Sequence, residues 1–103
     1  MTIKSRQGRF EVIDSFAIRK RNEFYLIGNL KEGFVKEDWF VNVPFNNTIA
    51  LTLKIASIEE VEISSEKSKY QLLIVTGDEE TLNLLLALKI GSEYLDITIE
   101  GKD

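Results

Sequence analysis

Between Thr48 and Ile55, apolar and polar side chains alternate: Ile49, Leu51, Leu53 and Ile55 share one face, and Thr48, Ala50, Thr52 and Lys54 the other. A period of two marks a strand with one buried face; on a helix the same apolar positions would scatter around the axis. The period returns at Phe10, Val12, Phe16 and Ile18, and again at Trp39, Val41 and Val43. A chain patterned this way at several places must bury sheet faces against one another.

The segments between these runs carry turn chemistry. Arg19-Lys20-Arg21-Asn22-Glu23 is polar throughout, and Asn22 suits a left-handed turn position, so Phe24–Ile27 reads as the second arm of a hairpin closing at Gly28. A short strand around Leu30, a tight turn at Gly33 and a return to the sheet follow. Pro44 ends the Trp39 strand because it has no N–H for a central ladder, and Asn46-Asn47 makes a polar turn. The strand through Ile55 continues, with a kink near Ser57, along Ile58, Val61 and Ile63; Ser64–Lys69 is a polar loop. Tyr70–Thr76 is almost wholly apolar, as in a strand covered on both faces.

One segment breaks the period. Leu82, Leu85 and Leu86 recur at helical spacing after Asp78, which is placed to cap free N–H groups, with Glu79 and Glu80 at the positive end of the dipole. A short helix over about 78–89 is expected, stopped by Gly91, with a last strand from Glu93 to Ile99. Evenly spaced short strands suggest a small barrel or sandwich. The expected fold is all-β: a small closed six- to seven-stranded β-barrel with one short helix before the last strand. It forms one domain over 1–103, with its core at about 9–99.

Composition narrows the chemistry. The chain has 103 residues, 44% of them apolar and 29% charged, enough for one unaided core. With no cysteine there is no disulfide framework or thiol nucleophile, and with no histidine the commonest general base and metal ligand is gone. Glu59, Glu60 and Glu62 are expected to face solvent opposite Val61 and Ile63 in the core. Asp78, Glu79 and Glu80 are explained by the helix start and lack the alternating oxygens of a calcium loop. No catalytic residue, metal site or cofactor is expected, and the chain is not expected to be an enzyme. MTIKSRQGRFEV lacks the apolar stretch of a signal peptide. The longest apolar run, Leu84–Leu88, is far shorter than a membrane span. The expectation is a cytoplasmic protein with no membrane partner.

Net charge is −4, but unevenly spread: residues 1–31 carry seven bases and three acids, residues 32–103 six bases and fourteen acids. Such polarity either steers association or is a scatter of solvated charges. By strand parity Phe10, Phe16 and Phe24 belong to the core and Trp39 points inward or to the barrel mouth, whereas Tyr25 and Phe40 lie outside. Phe34 and Phe45 flank turns. Phe34, Phe40 and Phe45 would form an exposed apolar rim, unless the helix covers it.

The order of these segments resembles a known family. Phe10-x-Val12-x-Asp14-x-Phe16-x-Ile18, a hairpin, and then Gly28-Asn29-Leu30-Lys31-Glu32-Gly33-Phe34-Val35-Lys36, with Val41 and Val43, are similar to domain 2 of translational GTPases, the β-barrel of elongation factor Tu and its relatives. Lys54-Ile55-x-x-Ile58-Glu59, Leu72-Leu73-Ile74-Val75-x-Gly77 and Ile90-Gly91 look like that barrel's later steps, so the resemblance spans about residues 9–99. It implies that Phe16, Ile18, Leu26, Val41, Leu53 and Ile74 point into one core. The chain departs from the family at the hairpin tip, where Arg19–Glu23 replaces a glycine-rich turn, and at Asp38, where a third glycine would fall. Its Glu79–Lys89 segment is longer and more helical than the usual crossover. There is no GTPase domain and no phosphate loop, so neither GTP binding nor hydrolysis carries over.

Two functions remain in view. The first is a non-catalytic protein-interaction module, an adaptor or a partner-neutralising, immunity-type protein. Its partner would be a protein, met through Arg19, Lys20, Arg21, Tyr25, Phe34, Phe40 and Phe45, or through an acidic surface occluding a basic site. The alternative is an RNA- or ribosome-associated accessory factor using the Arg19-Lys20-Arg21 tip, with Tyr25 as a stacking platform.

Overall fold

The computed structural model describes residues 6–44, 50–63, 68–91 and 93–99. Within them the chain forms β1 (Arg6–Ile18), a 3₁₀ turn (Arg19–Arg21), β2 (Glu23–Gly33), β3 (Phe40–Pro44), β4 (Ala50–Ile63), β5 (Ser68–Thr76), α1 (Glu79–Leu88) and β6 (Glu93–Thr98). Six antiparallel strands close into a barrel in the order β1-β2-β5-β4-β3-β6. Phe45, Asn46-Asn47, Thr48 and Ile49, and the polar stretch 64–67, lie outside the described residues.

The alternating faces set the core. Phe10, Val12, Phe24, Leu26, Val41, Val43, Leu53, Ile55, Leu73, Val75, Leu95 and Ile97 are buried together inside the barrel. α1 caps one end, sending Leu82 and Leu85, with Ile90 just beyond it, into the same cluster. Val35 and Trp39, from the segment leaving the far end of β2, pack against it too. Trp39 is thus turned to the interior, as its parity requires.

The turns follow their residues. Asn22 takes φ 54 and its N–H donates to the Arg19 carbonyl at 3.1 Å. Gly33 has φ 68, which only glycine holds without strain, and the next N–H, of Phe34, reaches the Gln7 carbonyl at 2.9 Å. Asp38 stands at φ 72. α1 begins where expected: the Asp78 carboxylate accepts from the Thr81 N–H at 2.8 Å. It ends two residues before Gly91, on Lys89 at φ 51.

That cap holds the Asp78 carboxyl below the usual aspartate range, chiefly through its bond from the Thr81 N–H. Asp78→Ala is therefore expected to lower the melting temperature by roughly 4–8 °C at neutral pH. A group whose folded pKa is depressed stabilises above its unfolded pKa, so the gap between parent and variant should close as pH falls through the lowered value. Thermal scans of both proteins from neutral to strongly acidic pH check this; a gap that widens in acid would contradict the cap.

Several expectations are corrected. Phe16 is 41% exposed, not core. The register slips between Val12, which pairs Gly28, and Asp14, which pairs Ile27, so Ile13 is an extra residue on β1. A bulge of one residue exchanges the two faces of everything beyond it. Past Ile13 it is Ser15 and Ala17 that turn inward: Ala17 packs on the core and the Ser15 hydroxyl donates to the Ile90 carbonyl. Phe16 and Ile18 turn out, and Ile18 is only half-buried. Ile74 is buried but pairs with Tyr25 on the outer face rather than joining the core.

A second slip, between Ile55 and Ser57, does the same to β4. Ile58 stays against the core, but Val61 comes onto the outer face opposite Tyr70, and Glu60 and Glu62 are exposed. Finally, β2 does not close at Gly28; it runs on to Gly33. Gly28 marks a close approach of β1, because a Cβ there would lie 1.8 Å from the Glu11 carbonyl oxygen.

Candidate interaction surface on the barrel wall

The bulge decides what the outer wall displays. With Phe16 turned out, its ring lies on that of Tyr25, the centroids 4.8 Å apart and the planes 3° from parallel. Cross-strand pairing continues the row Phe16–Tyr25–Ile74–Ser57 over β1, β2, β5 and β4. The next row is Asp14–Ile27–Leu72–Glu59, and beyond it Tyr70 pairs Val61. Phe16, Tyr25, Ile27, Leu72, Ile74, Tyr70 and Val61 therefore make one apolar stripe. Tyr25 and Ile74 are 7% exposed beneath it and Phe16 is its most open member.

The opposite wall differs. On β1, β6, β3 and β4 the outward face carries Tyr94 and Phe40 among polar residues bonded to one another: the Asn42 amide donates to the Asp96 carbonyl at 3.2 Å and to the Thr98 hydroxyl at 3.1 Å, and it accepts from Thr52 at 2.9 Å. Arg9 lies over the Tyr94 ring at 5.3 Å and beside Asp96 at 4.0 Å, while Arg6 reaches Asp96 at 3.5 Å and Glu32 at 3.7 Å. One wall is laced by its own polar contacts; the other is an apolar row, half-buried apart from the exposed Phe16 and the buried Tyr25 and Ile74.

The basic tip borders the apolar wall, and its arginines are held by the fold. Arg21 pairs with Glu23 at 3.1 Å, and Glu23 in turn accepts from the Tyr25 hydroxyl. That bond, then burial and the Glu23 charge, pushes the Tyr25 phenol above its ordinary pKa. Arg19 donates to the Asn83 side chain of α1 at 2.7 Å, and Lys20 is exposed.

The structure thus brings Arg19, Lys20, Arg21 and Tyr25 to one end. It places Phe34, 68% exposed, beyond Gly33 at the other end of β2, about 35 Å away at the rise of a strand. Phe40 is half-buried on β3, where it pairs with Lys54 and Thr98, and Phe45 lies outside the described residues. Sequence reasoning missed Phe16, Ile27 and Leu72. Their signal was present but ambiguous, since Ile13 and Asp14 between Val12 and Phe16 are where a bulge must sit if Ser15 is to face inward.

A pocket of about 340 Å³ opens where α1 meets β1, lined by Asp14, Ser15, Phe24, Leu85, Leu86, Lys89, Ile90 and Gly91. Its charged lining residues are Asp14, whose carboxylate accepts from the Ser15 N–H at 2.8 Å, and Lys89. Among the described residues no group of three or more Asp or Glu is placed to hold a metal ion, and no helix is long and apolar enough to cross a membrane. Set against family models, curated proteins and solved structures, the chain matches none.

Proposed function

We propose that this chain is a non-catalytic protein-interaction module, an adaptor or a neutraliser, that meets its partner on the apolar wall beside the Arg19-Lys20-Arg21 tip. The observation that carries it is the outward turn of Phe16: a bulge spends a large aromatic on a solvent-facing stack with Tyr25 when the core stood one residue away. Exposed contiguous apolar surface of this kind marks interaction sites, and aromatics and arginines supply most of the binding energy at such places. On this reading the barrel works alone, as a translation-factor type of barrel without its GTPase.

Phe16→Ala is expected to remain folded and to lose at least about ten-fold in capture of a protein partner from a lysate of the source cells, a typical hot-spot loss. Replacing Arg19, Lys20 and Arg21 by Ser should slow association and flatten its salt dependence while leaving the melting temperature within a few degrees, since such rim charges act mostly on rate. Retention on immobilised tRNA is the opposing result. If the parent is held at low salt, released steeply as salt rises, and no longer held after the triple change, the RNA reading replaces this one.

A further inference from the structure

Closure of the barrel uses only part of β4. β3 pairs with it from Ala50 to Lys54, and the chain just ahead of β3 carries the contact further. The Ile55 N–H donates to the Trp39 carbonyl at 2.8 Å, and the Asp38 N–H donates to the Ile55 carbonyl at 2.8 Å. The Ile58 N–H is met at 3.4 Å by the Glu37 carboxylate, a side chain standing where a strand's carbonyl would. Past Ile58, β4 pairs only with β5, through Ile63 and without a register shift. In an antiparallel ladder a residue's N–H and C=O point to the same side, and the side alternates along the strand. The edge that Ile58 turns away from β5 is therefore also the edge of the Glu60 and Glu62 backbone. Among the described residues nothing bonds to either backbone there. Glu59, Glu60 and Glu62 are exposed, and none forms an ion pair among the described residues, although Lys69 stands opposite Glu62 in β5.

We propose that this edge, residues 59–63 of β4, receives an extended strand of a protein partner that carries Lys or Arg at alternate positions. The contact is separate from the apolar wall and does not depend on it. The backbone selects a strand. Free N–H and C=O groups recurring about every 7 Å along an edge are matched by a second strand, whereas a helix has spent its own groups internally. The segment 37–39 already bonds to the neighbouring stretch of the same edge, at Ile55 and Ile58, and stops there.

Charge selects which strand. Two copies of the chain meeting edge to edge, in the register that pairs both residues, would set Glu60 against the other copy's Glu62. Like charges directly opposite destabilise such a pair, and acids on an edge guard against it. Bases at the same two positions turn that repulsion into attraction. A phosphate backbone is repelled by the same three carboxylates.

Hydrogen exchange of the ¹⁵N-labelled full chain is the first test. The Glu60 and Glu62 amides are expected to exchange about ten-fold or more faster than those of Glu59 and Val61, which face β5. Equal rates at the four positions would mean that the edge is covered or the hairpin unformed, and would overturn the proposal. Three eight-residue peptides are then titrated: Thr alternating with Lys, Thr alternating with Glu, and the Lys peptide N-methylated at its lysine amides. The plain Lys peptide is expected to slow exchange at Glu60 and Glu62 and to bind about ten-fold tighter at low salt than either of the others. In the double variant Glu60→Lys, Glu62→Lys the order of the Lys and Glu peptides should reverse, with the dispersion of the spectrum showing an intact barrel. Equal binding of the N-methylated peptide would show charge attraction without strand pairing, and that result or an unreversed order overturns the assignment. Phe16→Ala separates this contact from the wall. The Lys peptide should bind that variant as it binds the parent; a matching loss would put the peptide on the wall and remove the edge site. If Phe16→Ala abolishes partner capture while no peptide binds the parent, the edge proposal fails and the wall reading stands.

Discussion

Phe24→Ala should cost about 3–5 kcal/mol, the loss of a large aromatic from a packed core. Phe24 is 1% exposed, pairs with Ala17 on β1 and Val75 on β5, and faces Leu85 of the capping helix across the pocket. Removing its ring opens a void where sheet and helix meet, and a closed barrel has little freedom to collapse into it. Urea unfolding measures the loss directly. Phe16→Ala in the same assay is expected to cost about 1 kcal/mol or a little more, because it gives up a stack on Tyr25 and partial burial but leaves no cavity. The contrast is the decisive part. Equal losses at the two phenylalanines would mean that Phe16 is a core residue and that β1 has no bulge at Ile13.

Gly28→Val is expected to be nearly as damaging for the opposite reason. A Cβ at this position would sit 1.8 Å from the Glu11 carbonyl oxygen, 2.8 Å from its carbon and 3.0 Å from the Phe10 ring. The nearest obstacle is backbone, held in the ladder on both sides of the bulge, so β1 and β2 must move apart for any side chain to fit. Overpacking of this severity lies at or above the top of the usual range, about 3 kcal/mol or more, which is roughly 12–24 °C in melting temperature for a domain of this size. Gly91→Ala serves as the control. Nothing lies within 4 Å of a Cβ there, and the melting temperature should barely change. A stable Gly28→Val would show that the two strands do not approach as closely as the register requires.

Much of the fold was legible in advance because it depends on local chemistry. Asn22 and Gly33 took positive φ where their turns called for it, Asp78 capped the helix, and the alternating runs became strands. Leu51, Leu53 and Ile55 point inward as their period demands. The misreadings share one cause. Parity was carried unbroken through Val12–Phe16, where the ladder skips a residue; in β4 a kink was expected near Ser57, where the ladder does skip, but Val61 was still assigned to the core. Gly28 was taken as the end of a strand when it marks a crossing.

The candidate site was less legible than the fold. The Arg19-Lys20-Arg21 tip and Tyr25 were visible as residues, but that Glu23 and Asn83 hold the two arginines was not. Nor was the distance between the tip and Phe34, which depends on β2 running unbroken to Gly33.

What the sequence determined by itself was the class of element at each place and where the chain turns, since hydrophobic period, caps and turn residues act over a few neighbouring positions. Which face of each strand became the outside was decided only by the closed barrel. Closure forces six strands into mutual register, and the ladder absorbs the misfit at Ile13 and beside Ser57, where a single extra residue reverses every side chain that follows. The stacked pair Phe16–Tyr25 and the acids at its border are products of that reversal, which no local pattern encodes.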